Sequence, residues 1–314
     1  MNLLIGALTF GLIGGLLAVG VYLTFRLFAT VDLTAEGAYG LGAAVAGVLL
    51  AAKTDPLLAT LAGGLAGAGA GILTGLLHTR LAVPRLLAGI LTSTALYAVI
   101  LFLMHGGDLS LAPHRTLVSI AETAGTDLVG GDGELVLFGT PVGARNWMGF
   151  LYSFVMVAST IIALGVFLRT DMGLALRATG DNPRMATAQG VDVGWQLVLV
   201  YALSNGLIGG SGAIFAQYVG FANVQLGVGA MVTGLASLMI GETIFRRGGA
   251  GRALTAAVAG AILFRLLVAG ALMAGLNPNA LKLVTASFVL LALLVGRALP
   301  GRGGLGGSGA THGL

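Results

Sequence analysis

Cysteine is absent from this 314-residue chain, which excludes disulfides, thiolate metal sites and cysteine nucleophiles together. Charge is almost as scarce. Charged residues make up 9% of the sequence and hydrophobic ones 57%, whereas a soluble domain carries about 25% charged residues to keep its surface in water. Lipid must therefore be the solvent for most of this surface. Proline is held to 7 residues while glycine reaches 53, without a collagen-like period. Glycine that dense lets helices in lipid approach backbone to backbone. The histidines, His78, His105, His114 and His312, lack metal-ligand spacing, so no metal site is assigned. A phosphate-binding loop is missing too. The nearest match runs from Gly47 to Thr54 and has Ala52 where glycine is required. No catalytic constellation emerges, and the chain is not expected to hydrolyse ATP or to be an enzyme. The net charge of +4 reflects which loops carry arginine and is no nucleic-acid footprint.

What the sequence does contain is apolar runs. A membrane helix needs about 20 mostly apolar residues. Such runs occupy roughly 2–25, 33–52, 56–77, 86–104, 147–168, 194–217, 225–244, 253–275 and 281–298. The expected fold is thus an all-α polytopic bundle of about nine spans, with eight to ten as the range. No charge occurs from Val193 to Gly241, too long for one helix, so the chain must turn near Val219–Asn223. Residues 1–25 carry no charge, so the basic start of a cleavable signal is missing and the first run reads as a retained span.

Placing 169–193 in the cytoplasm puts Arg26, Arg80, Arg85, Arg169, Arg177, Arg184, Arg246, Arg247, Arg252, Arg297 and Arg302 inside. Only Lys53, Arg115, Arg145 and Lys282 fall outside, as the positive-inside rule requires, with the N-terminus outside and the C-terminus inside. Residues 1–300 form the transmembrane domain, and 301–314, rich in glycine, read as a disordered tail. The extracytoplasmic loop of about 105–146 ends in a Gly-Asp-Gly turn and the alternating run Glu134–Phe138, which suggest a small hairpin or cap, against a plain solvated connector.

The cytoplasmic stretch Thr170–Gly194 reads TDMGLALRATGDNPRMATAQGVDVG. Asn182 suits an N-cap, Pro183 the first helical position and Gly190 the position past the end. The spacing predicts a helix over Pro183–Gln189, too short to be stable alone in water. Met185, Ala186 and Ala188 give it a small apolar surface beside Arg184 and Gln189, suited to a groove on a soluble partner; the competing reading is an ordinary interhelical loop.

The run from Arg177 and Ala178 through Gly180, Asp181, Asn182 and Pro183, followed by Ala186, Ala188 and Gly190, resembles the coupling loop of importer permeases for branched-chain amino acids, ribose and other simple sugars. Asp181 stands where that family often has glutamate. Val31–Gly37 (VDLTAEG) is similar to the opening of an early helix of the family, Met239–Phe245 (MIGETIF) is a third match, and their Thr-Ala-Glu-Gly and Ile-Gly-Glu forms resemble most the tryptophan/tyrosine-type permeases. The resemblance implies a permease subunit of an ATP-binding-cassette importer in a bacterial inner membrane, carrying a small solute, amino acid before sugar or nucleoside. It also implies ATPase subunits holding ATP and Mg, an extracytoplasmic binding protein, and a second permease copy or homologue. Arg184 and Met185 join the coupling residues.

Charges inside spans are costly, so each is a functional hypothesis. Glu36, one turn into its span, serves either as part of a helix cap with Asp32 or Thr34, or as pathway lining. Glu242 has Arg246 one turn on, and Arg265 in a neighbouring span is an alternative partner, so a structural ion pair is expected there. Ser93, Thr94, Tyr97, Asn205, Gln217 and Thr34 are further pathway candidates, although most membrane hydroxyls bond only to backbone or a neighbouring helix. The rival to an importer is a secondary transporter, which needs carboxylates near mid-membrane. The expected spans put Glu36 and Glu242 near one edge.

Overall fold

The computed structural model describes residues 2–129, 134–137, 140–245, 249–275, 283, 285–288 and 290. Helix α1 (Asn2–Tyr22) continues as a π-helical turn, Leu23–Leu27. Then follow α2 (Thr34–Ala51), α3 (Pro56–Thr79) and α4 (Arg85–Leu103). The outer loop contributes β1 (Leu109–Ser110), α5 (Leu117–Val129), β2 (Glu134–Leu137) and β3 (Thr140–Gly143). Next come α6 (Ala144–Phe167), α7 (Asp171–Asp181), α8 (Pro183–Ala188) and α9 (Val193–Val219). The described part closes with β4 (Phe221–Ala222), a 3-10 turn at Val224–Gly227, α10 (Ala230–Ile244) and α11 (Ala250–Met273).

Among the described residues, eight helices are long and apolar enough to cross a membrane, matching eight of the expected spans within a few residues. The ninth, 281–298, and the 301–314 tail lie largely or wholly outside the described residues. The turn expected near Val219–Asn223 is present: α9 ends at Val219 and Gly220 follows at φ 86°, a left-handed helix cap.

Glycine sets the packing. Helix α9 is the hub, lying against α1, α2 and α3. A Cβ at Gly71 would collide with the Tyr201 carbonyl, and one at Gly42 with the Gly209 carbonyl. These backbones touch only because both positions lack a side chain. Polar cross-links supplement the contact. Ser204 and Ser211 of α9 donate to the α1 carbonyls of Gly20 at 2.7 Å and Ile13 at 2.8 Å.

In the outer loop the expected hairpin forms, with Glu134 opposite Gly143 and Leu137 opposite Thr140; Phe138 lies outside the described residues. Helix α5 was not expected. Thr116 and Ser119 cap its start reciprocally, each side chain accepting the other's amide, a capping box with serine in place of the usual Glu or Gln. Strands β1 and β4 pair antiparallel and tie the outer loop to the α9–α10 turn. At the opposite end of the bundle, Arg26 pairs with Glu242 at 3.2 Å, and a Cβ at Gly180 would strike the Leu27 carbonyl, so α7 rests on the end of the first span. The two ends therefore segregate as the alternating topology requires.

Candidate functional site

The segment expected to face the cytoplasm holds two helices where one was foreseen. Thr170 caps α7, accepting from the Gly173 amide at 3.3 Å. Gly173, Leu176 and Thr179 form the buried face of α7. Helix α8 starts as expected: Asn182 accepts from the Met185 amide at 3.1 Å and Pro183 takes the first position. Gly190, at φ 82°, lies two residues past its end. One expectation is corrected. Ala186 is fully buried, turned inward rather than belonging to the exposed apolar surface, while Met185 is 44% exposed. At 100° per residue, neighbours on one turn of helix cannot share a face. Ala188, Pro183 and Arg184 are exposed with Met185; Arg177 and Ala178 are half-buried. Met172, Leu174 and Trp195, which sequence reasoning passed over, are exposed in the same segment. No single apolar residue announces a face until the buried side of α7 is known.

The intramembrane candidates divide into two groups. Thr34, Asn205 and Gln217 are buried and held by structural bonds, although the Asn205 carbonyl oxygen is left without a partner. Thr34 lies 2.8 Å from the Thr74 hydroxyl, which in turn donates to Thr92 at 2.9 Å. Asn205 donates to the Asp32 carboxylate at 2.7 Å and to the Tyr201 carbonyl at 3.0 Å. The other Asp32 oxygen accepts from the Thr34 amide at 2.9 Å, a helix-start bond like the one foreseen. Gln217 donates to Thr60 at 2.7 Å and accepts from the Leu117 amide at 3.0 Å, fastening α9 to α3 and α5. Assigning these three to a pathway is not what their geometry favours.

Glu36, Ser93, Thr94 and Tyr97 do come together. With Ile100, Val224 and Val228 they line a cavity of about 290 Å³ between α2, α4 and the turn that precedes α10. One Glu36 oxygen accepts from the Gly229 amide at the start of α10, at 3.1 Å. The approach is close because a Cβ at Gly227 would collide with the Glu36 carbonyl. Thr94 donates to its own helix at Ile90. Tyr97 is 48% exposed, so the cavity opens on the flank of the bundle.

Depth is the second correction. Gly37, next to Glu36, packs against Ser93 near the midpoint of α4. Gly229 stands 13 residues before Glu242 along α10, a rise of about 20 Å at 1.5 Å per residue. Glu36 thus lies towards the middle of the bilayer and Glu242 at one edge, because residues 28–33 turn back into the bundle before α2 begins. The expected partners of Glu242 also change. Its carboxylate pairs with Arg26 rather than Arg265, and Arg246 lies outside the described residues. Arg265 instead places its guanidinium 5.6 Å from the Phe10 ring centre, a cation–π contact.

A bundle of apolar helices carrying on its flank a largely apolar cavity with a few polar side chains, and a capped helix pair at one end, is a multi-pass transport permease in outline. A family profile described as branched-chain amino acid transport system, permease component, matches residues 3–295, and the chain belongs to that family. It is 31% identical over 296 residues to the tyrosine transport system permease protein of Clostridioides difficile, covering 94% of this chain and 92% of that one. It is 28% identical over 172 residues to the galactose/methyl galactoside import permease of Escherichia coli, covering 48% of this chain and 51% of that one. The autoinducer 2 import system permease of Yersinia enterocolitica is 27% identical over 227 residues, with 72% and 56% covered. Among solved structures, PsaBC from Streptococcus pneumoniae in complex with Fab has a similar fold, with TM-score 0.51 and 15% identity over 94% of this chain and 91% of that one. The family is that of permeases of ATP-binding-cassette importers, which function with ATPase and binding-protein partners.

Proposed function

We propose that two such permeases, identical or homologous, enclose a pathway between their α2–α4 flanks in a bacterial inner membrane. The cargo is a small solute, an amino acid before a sugar or nucleoside, given the tyrosine permease among the relatives. The observation that carries this reading is Glu36 with Ser93 and Tyr97 on an open mid-membrane flank. A carboxylate there is costly against hydrocarbon and tolerable against water or a protein partner. An extracytoplasmic binding protein delivers cargo from the side of β1 and β4. ATPase subunits, holding ATP and Mg, dock on α7 and α8.

The drive from ATPase to pathway is mechanical. Helix α7 presses through Gly180 on Leu27, the last residue of the π-helical turn. Arg26 in that turn grips Glu242 on α10, whose other end is held by Glu36. Movement of α7 and α8 then tilts α1 and α10 together and changes which side of the membrane the cavity faces, a shift between two packings driven by the partner. Reconstitution tests it. Uptake into proteoliposomes should need the ATPase subunits, the binding protein and ATP; uptake by the permease alone on an ion gradient would establish a secondary transporter instead.

A further inference from the structure

We infer that the Glu36 cavity is a selectivity site for a protonated amine on the cargo; this rests on the importer reading and names what its pathway recognises. One Glu36 oxygen is engaged by the Gly229 amide at 3.1 Å. Among the described residues the other has neither a hydrogen-bond donor nor a cation partner, and the one ion pair present is Arg26–Glu242 at the cytoplasmic end. Ser93 and Tyr97 line the same cavity, and neither hydroxyl forms a hydrogen bond among the described residues. An anionic group would be repelled at this wall. A neutral polyol would leave the carboxylate charge uncompensated in a low-dielectric setting. A cation satisfies it.

The kind of cation follows from the donor set. A divalent metal takes several carboxylate or imidazole ligands, and no cluster of three or more His, Cys, Asp or Glu suited to a metal exists among the described residues. A primary ammonium needs only what is present: one carboxylate oxygen for a charge-assisted bond and hydroxyl oxygens for its remaining protons. Ile100, Val224 and Val228 supply an apolar wall for the rest of the solute. A volume of about 290 Å³ lies at the small end of ligand pockets, suited to a single amino acid and not to an oligomer.

The Gly229 bond offers a structural alternative, that Glu36 merely caps α10, and it supplies the test. Glu36→Gln keeps an oxygen to accept the Gly229 amide and nearly the same volume but removes the charge; Glu36→Ala removes both. The importer, reconstituted in proteoliposomes with its ATPase and binding protein, is offered radiolabelled L-tyrosine, L-leucine and D-galactose below saturation. Amine recognition requires ATP-driven uptake of at least one amino acid. It also requires Glu36→Gln to fall about tenfold or more, close to Glu36→Ala, while its thermal unfolding in detergent stays that of the wild type. Wild-type uptake by Glu36→Gln overturns the inference and leaves a helix cap. ATP-driven uptake of galactose alone overturns it while sparing the importer reading. Failure of the wild type to accumulate any of the three overturns the inference as well, and leaves the importer reading to its own test, the dependence of uptake on the ATPase subunits and ATP.

Discussion

Met185 and Ala186 are adjacent, yet charging them should have opposite consequences. Met185 is 44% exposed and Ala186 fully buried. Met185→Glu places a carboxylate in water at a helical position, so permease stability should move by no more than about 0.5 kcal/mol. If Met185 is an apolar anchor in an ATPase groove, losing it costs about 2 kcal/mol of association, roughly thirtyfold in Kd. Ala186→Glu forces a charge into the contact between α8 and its neighbours, at about 3 kcal/mol or more unless the helix detaches. That variant should lose stability and coupling together. Asn182→Ala, which removes the bond to the Met185 amide, should fall between them, costing about 1 kcal/mol of helix stability.

The assay is paired. Each variant is purified from membranes for a thermal unfolding curve, then titrated with the ATPase subunit while cargo-stimulated hydrolysis is followed. The expected pattern is Met185→Glu stable but uncoupled, and Ala186→Glu unstable and uncoupled. Wild-type affinity and hydrolysis in Met185→Glu would refute α8 as the docking element, however Ala186→Glu behaves.

Cysteines introduced at Ala178 and Ala188 should react with impermeant thiol reagents only from the cytoplasmic side, and faster at exposed Ala188 than at half-buried Ala178; labelling from outside would invert the topology. Arg265→Leu should unfold at a higher temperature than Arg265→Ala, because leucine refills the volume over Phe10 while alanine adds a cavity costing about 2–5 kcal/mol; equal midpoints would show that packing at this site is unimportant. Gly71→Val should destabilise the bundle by about 1–3 kcal/mol, since its side chain must displace the Tyr201 carbonyl, and an unchanged midpoint in detergent would refute the close α3–α9 contact.

Much of the fold was legible because lipid leaves few alternatives: long apolar runs become spans, and arginine orders the loops. The cap of α8 was legible for a local reason, since Asn182, Pro183 and Gly190 each act within a few residues of where they stand. Helix α7 was missed because its stabilisation is not local. Its buried positions, Gly173, Leu176 and Thr179, give only a narrow stripe, and the carbonyl of Leu27 that Gly180 abuts lies far back along the chain. The inward turn of Ala186 was hidden for the same reason: three apolar residues in one turn of helix do not say which of them faces the protein.

Pathway candidates chosen by residue type were bound to be a mixture. A threonine or asparagine in a membrane helix serves equally as glue or as lining, and only its partners decide. Asn205 is glue through its amide nitrogen because Asp32 sits opposite, and Asp32 sits there because residues 28–33 fold back into the bundle. Counting residues along the chain treats that connector as an edge and so assigns Glu36 to the edge as well. The argument from position against a secondary transporter therefore fails for Glu36, which lies near mid-membrane. What separates the two readings is family membership together with a docked helix pair that an ion-driven carrier would not need. A carrier coupled through Glu36 would require its second oxygen for the driving ion, while an importer leaves it for the cargo. The same unengaged carboxylate oxygen thus fits either class of transporter, and the energy source must be read at α7 and α8.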